Sequence, residues 1–295
     1  MGVSNFHIFR QGKMIATLVK IATHKITRTL VSKTDSSLKL PGPVISKHVP
    51  PRSPKLIKDY IKHVGGDPAY YSGYLPPHLF PQWGIPVLTQ TIPANMYDIS
   101  RILNGGVKYC VEKRLPANES LKVSAQLMNI DDNGRRIIFN QRLITETTSA
   151  PNALIAEVKA ILPAKKNSEE KKAKREKPRV HADAREIGRI ALSEADGLNF
   201  AKLTGDFNPI HWVRSYARMS GFPDLILHGF STMARAAETL IKNRYSGQAE
   251  LLNMFDVSFV RPLVLPNPVS VFIFENQIWV GHAAGGPAYL TGRFG

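Results

Sequence analysis

Apolar residues along this chain recur with two different periods, and the order in which those periods appear is repeated. LIKDYIKHVGGD, Leu56 to Asp67, spaces its apolar residues as a short amphipathic helix stopped by Gly-Gly-Asp. ADGLNFAKLTGD, Ala195 to Asp206, has the same shape and stops at Thr-Gly-Asp. Further on, each is followed by strand, Pro-containing turn and strand: Val107 to Ile130 in the first case, Phe255 to Asn276 in the second. Arg135 to Thr147 adds another strand after an Asp-Asp-Asn-Gly turn. The longest helical pattern is His228 to Tyr245, with Met233, Ala236, Ala237, Leu240 and Ile241 on one face. Helix first and antiparallel strands after, twice over, predicts an α+β chain of two diverged copies, each a sheet wrapping a central helix.

The copies differ at that central helix. Where the second runs on from His228, the first has LPPHLFPQWGIPVLTQTI, interrupted by Pro76, Pro77, Pro81 and Pro86. Prolines at this density break or displace a helix, so the first copy's helix is expected to be short or shifted, with room left beside it. The boundaries read as a basic extension over 1–49, a first copy over 50–162, a charged linker over 163–180 and a second copy over 181–295.

Charge sharpens that division. The net charge of +16 lies in the extension and the linker: residues 1–62 hold 12 Lys/Arg against 2 acids, and 165–180 hold 8 against 3. The second copy is neutral, with 10 of each over 181–295, and this argues against a nucleic-acid-binding face. Ile15, Leu18, Val19, Ala22, Ile26 and Leu30 follow helical spacing among basic residues, as in a surface-binding helix, a mitochondrial presequence or a solvated extension. The lone Cys110 excludes an internal disulfide and leaves no zinc cluster. No apolar run reaches the length of a membrane span.

The chemistry concentrates in LTGDFNPIH, Leu203 to His211. Taken alone, this is equally a polar turn closing a helix, since Asp206 and Asn208 suit caps and Asn-Pro starts turns. Its surroundings add more. The run from Leu198 to Glu238, with Asp-x-Asn-Pro-x-His, Tyr216-Ala217, Gly221-Phe222 and Leu227-His228-Gly229, resembles the MaoC-like dehydratases, or (R)-specific enoyl-CoA hydratases (hydratase 2). Phe259 to Pro266, FVRPLVLP, resembles the family's strand-turn element. The resemblance implies two tandem hot-dog domains, each an antiparallel sheet wrapped around a central helix, the first degenerate.

It also implies a lyase that interconverts (3R)-hydroxyacyl and trans-2-enoyl thioesters in fatty-acid metabolism. Such a reaction moves one proton at the α-carbon and one at the β-oxygen, which a carboxylate and an imidazole sharing a water can manage. The resemblance assigns that work to Asp206 and His211, and the oxyanion-binding N–H to Gly229 at a helix start. Asn208, His228 and Ser231 are expected around the substrate, with His228 orienting the turn rather than reacting. Trp212, Tyr216 and Phe222 read as core. Many relatives carry a small hydroxyl residue one to two turns past Leu-His-Gly; here Ala236 and Ala237 follow, with Ser231 and Thr232 earlier.

Aligning Gly66-Asp67 with Gly205-Asp206 puts Ser72 where the second copy has His211, so the first copy lacks the motif and is expected to shape an acyl tunnel. The alternatives are a non-catalytic acyl-thioester-binding hot-dog protein and a hot-dog thioesterase. No cofactor or metal is expected. The expected partners are an acyl-CoA or acyl carrier protein thioester as substrate, with no nucleic acid. Peripheral membrane or carrier-protein contact through the basic N-terminus and a homodimer are further expectations. The location expected is cytoplasmic, or the mitochondrial matrix if the N-terminus is a presequence.

Overall fold

The computed structural model describes residues 2–9, 39–163 and 177–295. The helical pattern between Ile15 and Leu30, and residues 164–176 of the charged stretch, lie outside them. Ten strands form one antiparallel sheet: β1 (Ile45–Val49), β2 (Leu103–Val111), β3 (Leu121–Asp132), β4 (Arg136–Glu146), β5 (Leu154–Pro163), β6 (Arg185–Ile190), β7 (Met254–Phe259), β8 (Val269–Phe274), β9 (Gln277–Gly281) and β10 (Ala288–Phe294). Their order is β1-β3-β4-β5-β2-β7-β10-β9-β8-β6. Read from each outer edge inward, the two halves have the same order, 1-3-4-5-2 and 6-8-9-10-7. They meet where Val107 pairs with Val257 and Tyr109 with Phe255, all four buried.

The α-helices among the described residues are α1 (Phe6–Phe9), α2 (Pro54–His63), α3 (Pro81–Thr91), α4 (Ala195–Thr204), α5 (Arg214–Met219) and α6 (Gly229–Asn243). The central helix of the second lobe is α6, packed on β2, β6 and β7. The face expected from its spacing, Met233, Ala236, Ala237, Leu240 and Ile241, is fully buried. Its counterpart α3 packs on β1, β3 and β4 and carries Pro86 within it. That helix is 11 residues long against 15 for α6, and a separate 3-10 turn, Pro77–Leu79, precedes it. Pro86 has no N–H for the preceding turn, so the helix survives through packing, including a Trp83 Nε1–H bond to Thr145 Oγ1 at 3.0 Å. The two lobes touch edge to face at Phe80 and Phe230, ring centroids 5.5 Å apart.

Two boundaries differ from the sequence reading. Ile45–Val49, placed in the extension, is an edge strand paired with Leu121–Ala125, anchored by the buried Val49, with Ser46, Lys47 and His48 exposed. Residues 177–180, placed in the linker, lie on the second lobe: Arg179 bridges Pro287, and Val180 is buried with its N–H bonded to Gly286 O at 2.8 Å. The start of the chain is also docked. His7 is buried with Nε2 2.8 Å from Asp59 Oδ2 of α2, and the Val3 N–H donates to Asn199 Oδ1 of α4. No helix among the described residues is long and apolar enough to cross a membrane.

Candidate active site

Helix α4 ends at Gly205, whose φ of +84° is the left-handed backbone that glycine tolerates and other residues resist. The chain then turns through Asp206 to Asn208 into one 3-10 turn, Pro209–His211. Asn208 caps that turn, its Oδ1 accepting from the Ile210 N–H at 3.3 Å, and Pro209 supplies the fixed φ of its first residue. Close packing of this turn on α4 depends on Gly197, where a Cβ would run into the His211 carbonyl oxygen.

His211 is buried, and its Nδ1–H donates to the Ile226 carbonyl at 2.7 Å. A carbonyl only accepts, so the proton sits on Nδ1 and Nε2 keeps its lone pair. Burial, and then the neighbouring His228, push the His211 pKa down to about 3, against the opposing pull of the Asp206 carboxylate. The imidazole is therefore neutral at pH 7. His228 stacks on it, centroids 3.5 Å apart and planes 24° apart. The Nε2–H of His228 donates to the Asp206 backbone carbonyl at 2.9 Å, and burial pushes this ring down to about 3 as well. Asp206, His211 and His228 offer ligand atoms within 4.8 Å of one another. The Nδ1–H of His211 and the Nε2–H of His228 are both committed to backbone carbonyls, which leaves one nitrogen of each ring with a lone pair.

Asp206, Asn208, His211 and Gly229 all line one cavity of about 640 Å³. Gly229 opens α6, so its N–H has no intrahelical acceptor and sits at the positive end of the helix dipole. A Cβ at Gly229 would collide with the ring of Phe259, another wall of the cavity. The cavity continues into the first lobe between α3 (Ile85, Leu88) and β5 (Val158, Ala160, Ile161), beside the proline-shortened helix.

Residues 167–278 match the family model described as a MaoC like domain. The chain carries a MaoC-like domain. Among curated relatives, 3-hydroxyacyl-thioester dehydratase X of Mycobacterium tuberculosis is 30% identical over 88 residues, covering 30% of this chain and 30% of the relative. The curated relatives are matched over only 3% to 30% of their own lengths. Among solved structures, HtdX of Mycobacterium tuberculosis aligns with a TM-score of 0.67 at 16% identity, over 85% of this chain and 99% of that one. A double hot-dog protein of the same organism aligns with a TM-score of 0.57 at 14% identity, over 87% and 96%. The fold is the double hot-dog.

Within the MaoC-like lobe, some expected residues stand elsewhere than their spacing implied. His228 is fully buried behind His211 and touches the Asp206 backbone rather than the cavity. Ser231 is also buried, its Oγ turned to Arg235 Nε at 3.4 Å; Thr232 lines the cavity in its place. Helical geometry accounts for this, since Thr232 is about three residues from Gly229 and shares its face. Trp212 is 39% exposed rather than core, while Tyr216 and Phe222 line the cavity. Phe259 was read only as the start of a strand-turn element, and the Ile226 carbonyl was not singled out, since a backbone acceptor leaves no sequence signal.

The first lobe repeats the frame of the second without the Asp-x-Asn-Pro-x-His residues, in a register different from the alignment through Gly66-Asp67. Asp67 caps the 3-10 turn Pro68–Tyr70 through the Ala69 N–H, as Asn208 caps Pro209–His211. Asp67 thus stands at the position of Asn208, and Tyr70 rather than Ser72 at that of His211. The Leu75 N–H bonds Leu115 O at 2.8 Å, as the Leu227 N–H bonds Leu263 O at 2.8 Å. Counting on, Pro77 occupies the place of Gly229, and proline has no N–H to offer an oxyanion.

Proposed function

We propose that this chain is a hydro-lyase that interconverts trans-2-enoyl and (3R)-hydroxyacyl thioesters carried on CoA or acyl carrier protein. The observation that carries the reading is His211: neutral, its Nδ1–H committed to Ile226, its other nitrogen free beside the Asp206 carboxylate, in the cavity that Gly229 also lines. The relative named a 3-hydroxyacyl-thioester dehydratase agrees with that chemistry.

In hydration, Asp206 and His211 share the attacking water. The pair takes a proton from the water as its oxygen bonds C3 and gives that proton to C2, so both groups finish in the protonation states in which they began. Dehydration runs the same steps backward. Negative charge pushed onto the thioester oxygen is met by the Gly229 N–H and the dipole of α6. The acyl chain extends along α3 and β5 of the first lobe, which supplies volume rather than reacting groups. The strongly basic extension is suited to an acidic carrier protein or an anionic surface.

Loss of enoyl absorbance with crotonyl-CoA and a longer trans-2-enoyl-CoA tests this reading. Asp206→Asn and His211→Ala are each expected to lower kcat by about 10²–10⁴-fold while leaving the circular dichroism unchanged. Release of free thiol instead would identify a thioesterase. Wild-type binding without turnover would identify a non-catalytic binder.

A further inference from the structure

The first-lobe end of the cavity is walled by Ile85, Leu88, Val158 and Ile161, but two carboxamides interrupt this apolar lining: Gln141 on β4 and Asn104 on β2. Gln141 is 3% exposed and points inward between Phe139 and Leu143, a position that the period-two alternation of β4 assigns to an apolar side chain. Its Nε2 donates to the Leu88 carbonyl at 2.7 Å and to Thr91 Oγ1 at 2.6 Å. The Leu88 carbonyl only accepts, and Thr91 spends its own hydroxyl proton on that same carbonyl at 2.9 Å. Both partners require a donor, so the amide orientation is fixed, with the NH2 toward α3 and Oε1 away from it.

That oxygen has no hydrogen-bond partner among the described residues, and neither does the Asn104 side chain. Strand register places Gln141 opposite Val158 and Asn104 opposite Ala160, so the two amides flank β5 at its Val158–Ala160 stretch. A buried amide oxygen is ordinarily hydrogen-bonded, to protein or to an ordered molecule beside it. Here one end anchors α3 and the other is left to whatever occupies the cavity. A plain alkyl chain would strip water from Oε1 and give nothing back, whereas a hydroxyl at that depth would replace the lost bond.

We propose that the tail end of this site is built for an acyl chain bearing a hydroxyl group, with Gln141 Oε1 as its acceptor and the Asn104 amide as a second partner across β5. The inference rests on the cavity being the acyl-thioester site and adds the class of acyl group it selects. A site that hydrogen-bonds a substrate hydroxyl discriminates against the analogue lacking it, because its own polar group is then left unpaired.

The test is calorimetric titration of the full chain with saturated acyl-CoA esters of one length, plain or with a single hydroxyl at successive tail carbons. Saturated esters cannot be hydrated, so binding is read apart from turnover. A failure of the hydratase reading shows separately, as no loss of enoyl absorbance with the same preparation. One hydroxyl position is expected to bind about tenfold more tightly than the plain ester. In Gln141→Leu the plain ester should bind at least as tightly as the hydroxylated one. Thr91→Val, which removes one anchor of the same amide but not its oxygen, should keep the preference. The proposal is overturned if no ester binds, if the plain ester binds wild type as tightly as every hydroxylated one, or if Gln141→Leu retains the preference. Should Gln141→Leu fail to fold, the positional series on wild type decides alone.

Discussion

His211 and His228 lie face to face with ring centroids 3.5 Å apart, and burial holds both near a pKa of about 3, far below the ordinary histidine value. In the unfolded chain each ring takes up a proton near pH 6.5, whereas in the folded chain neither does until about pH 3. The unfolded state thus binds more protons across that window, and stability falls as pH drops below 6.5. Each ring is expected to cost about 2 kcal/mol between pH 7 and pH 5. Urea midpoints measured across this range check it; a flat profile would mean that the folded chain takes up protons over this range as the unfolded chain does.

His228→Phe separates the two roles of the second ring. Phenylalanine keeps the stack but gives the Asp206 carbonyl no donor. The turn then loses one anchor, and kcat is expected to fall about tenfold, far less than for Asp206→Asn or His211→Ala. The acid sensitivity should be roughly halved, since one of the two depressed rings is gone. A loss of kcat as large as that of His211→Ala would make His228 a reacting group.

Gly229→Ala probes the oxyanion position through sterics. The added methyl meets the Phe259 ring, so either the ring or the helix start must move. Loss of about tenfold or more in kcat is expected, with partial recovery when Phe259→Leu is added. The pair should couple in a double-mutant cycle, and strict additivity would show that the methyl acts elsewhere.

Much of this was legible because its cause is local. Asp-x-Asn-Pro-x-His is a self-contained turn with its own caps, and the 3.6-residue spacing from Met233 to Ile241 marks a helix buried on that face. What was not legible depends on where the chain returns. Ser231 and Thr232 are neighbours in sequence, and only the rotation of α6 decides which reaches the cavity. The tautomer of His211 rests on a carbonyl fifteen residues away, invisible to any motif. The register of the first lobe misled for a plainer reason. Its turn is one residue shorter between the left-handed glycine, Gly65, and the cap, Asp67, so matching Gly-Asp to Gly-Asp shifted the frame. Gln141 did have a signal, a polar residue at an inward position of an alternating strand.

A buried cluster between the lobes gives a stability test. Tyr71 Oη–H donates to Glu238 Oε1 at 2.9 Å and His78 Nε2 lies 3.1 Å from the same oxygen, while Glu238 Oε2 has no partner among the described residues. Burial, then the neighbouring carboxylate, holds the Tyr71 phenol well above its ordinary pKa, so it remains a donor at all working pH. Glu238→Ala removes the acceptor shared by Tyr71 and His78, which keep only the 3.0 Å contact between Tyr71 Oη and His78 Nε2, and is expected to cost about 2–3 kcal/mol. Glu238→Gln keeps the Oε1 acceptor and should cost about 1 kcal/mol. Chemical denaturation measures both, and equal costs would mean that volume rather than hydrogen bonding matters there.

Ala160 offers the cleanest division between chemistry and chain length. It is 5% exposed, lies on β5 in the first lobe, and lines the cavity. Its neighbours in register are Phe139 and Asn104, and because it forms part of the cavity wall a larger side chain there takes cavity volume. Asp206, His211 and Gly229 belong to the other lobe and share no contact with it in the strand register. Ala160→Leu is therefore expected to leave kcat/KM for crotonyl-CoA within about twofold of wild type. For long trans-2-enoyl-CoA the same ratio should fall at least tenfold, mostly through KM, because the variant removes binding that is equal in ground and transition states. A uniform loss across chain lengths would show that strain reaches the reacting groups. No loss at any length would place the acyl chain outside the first lobe.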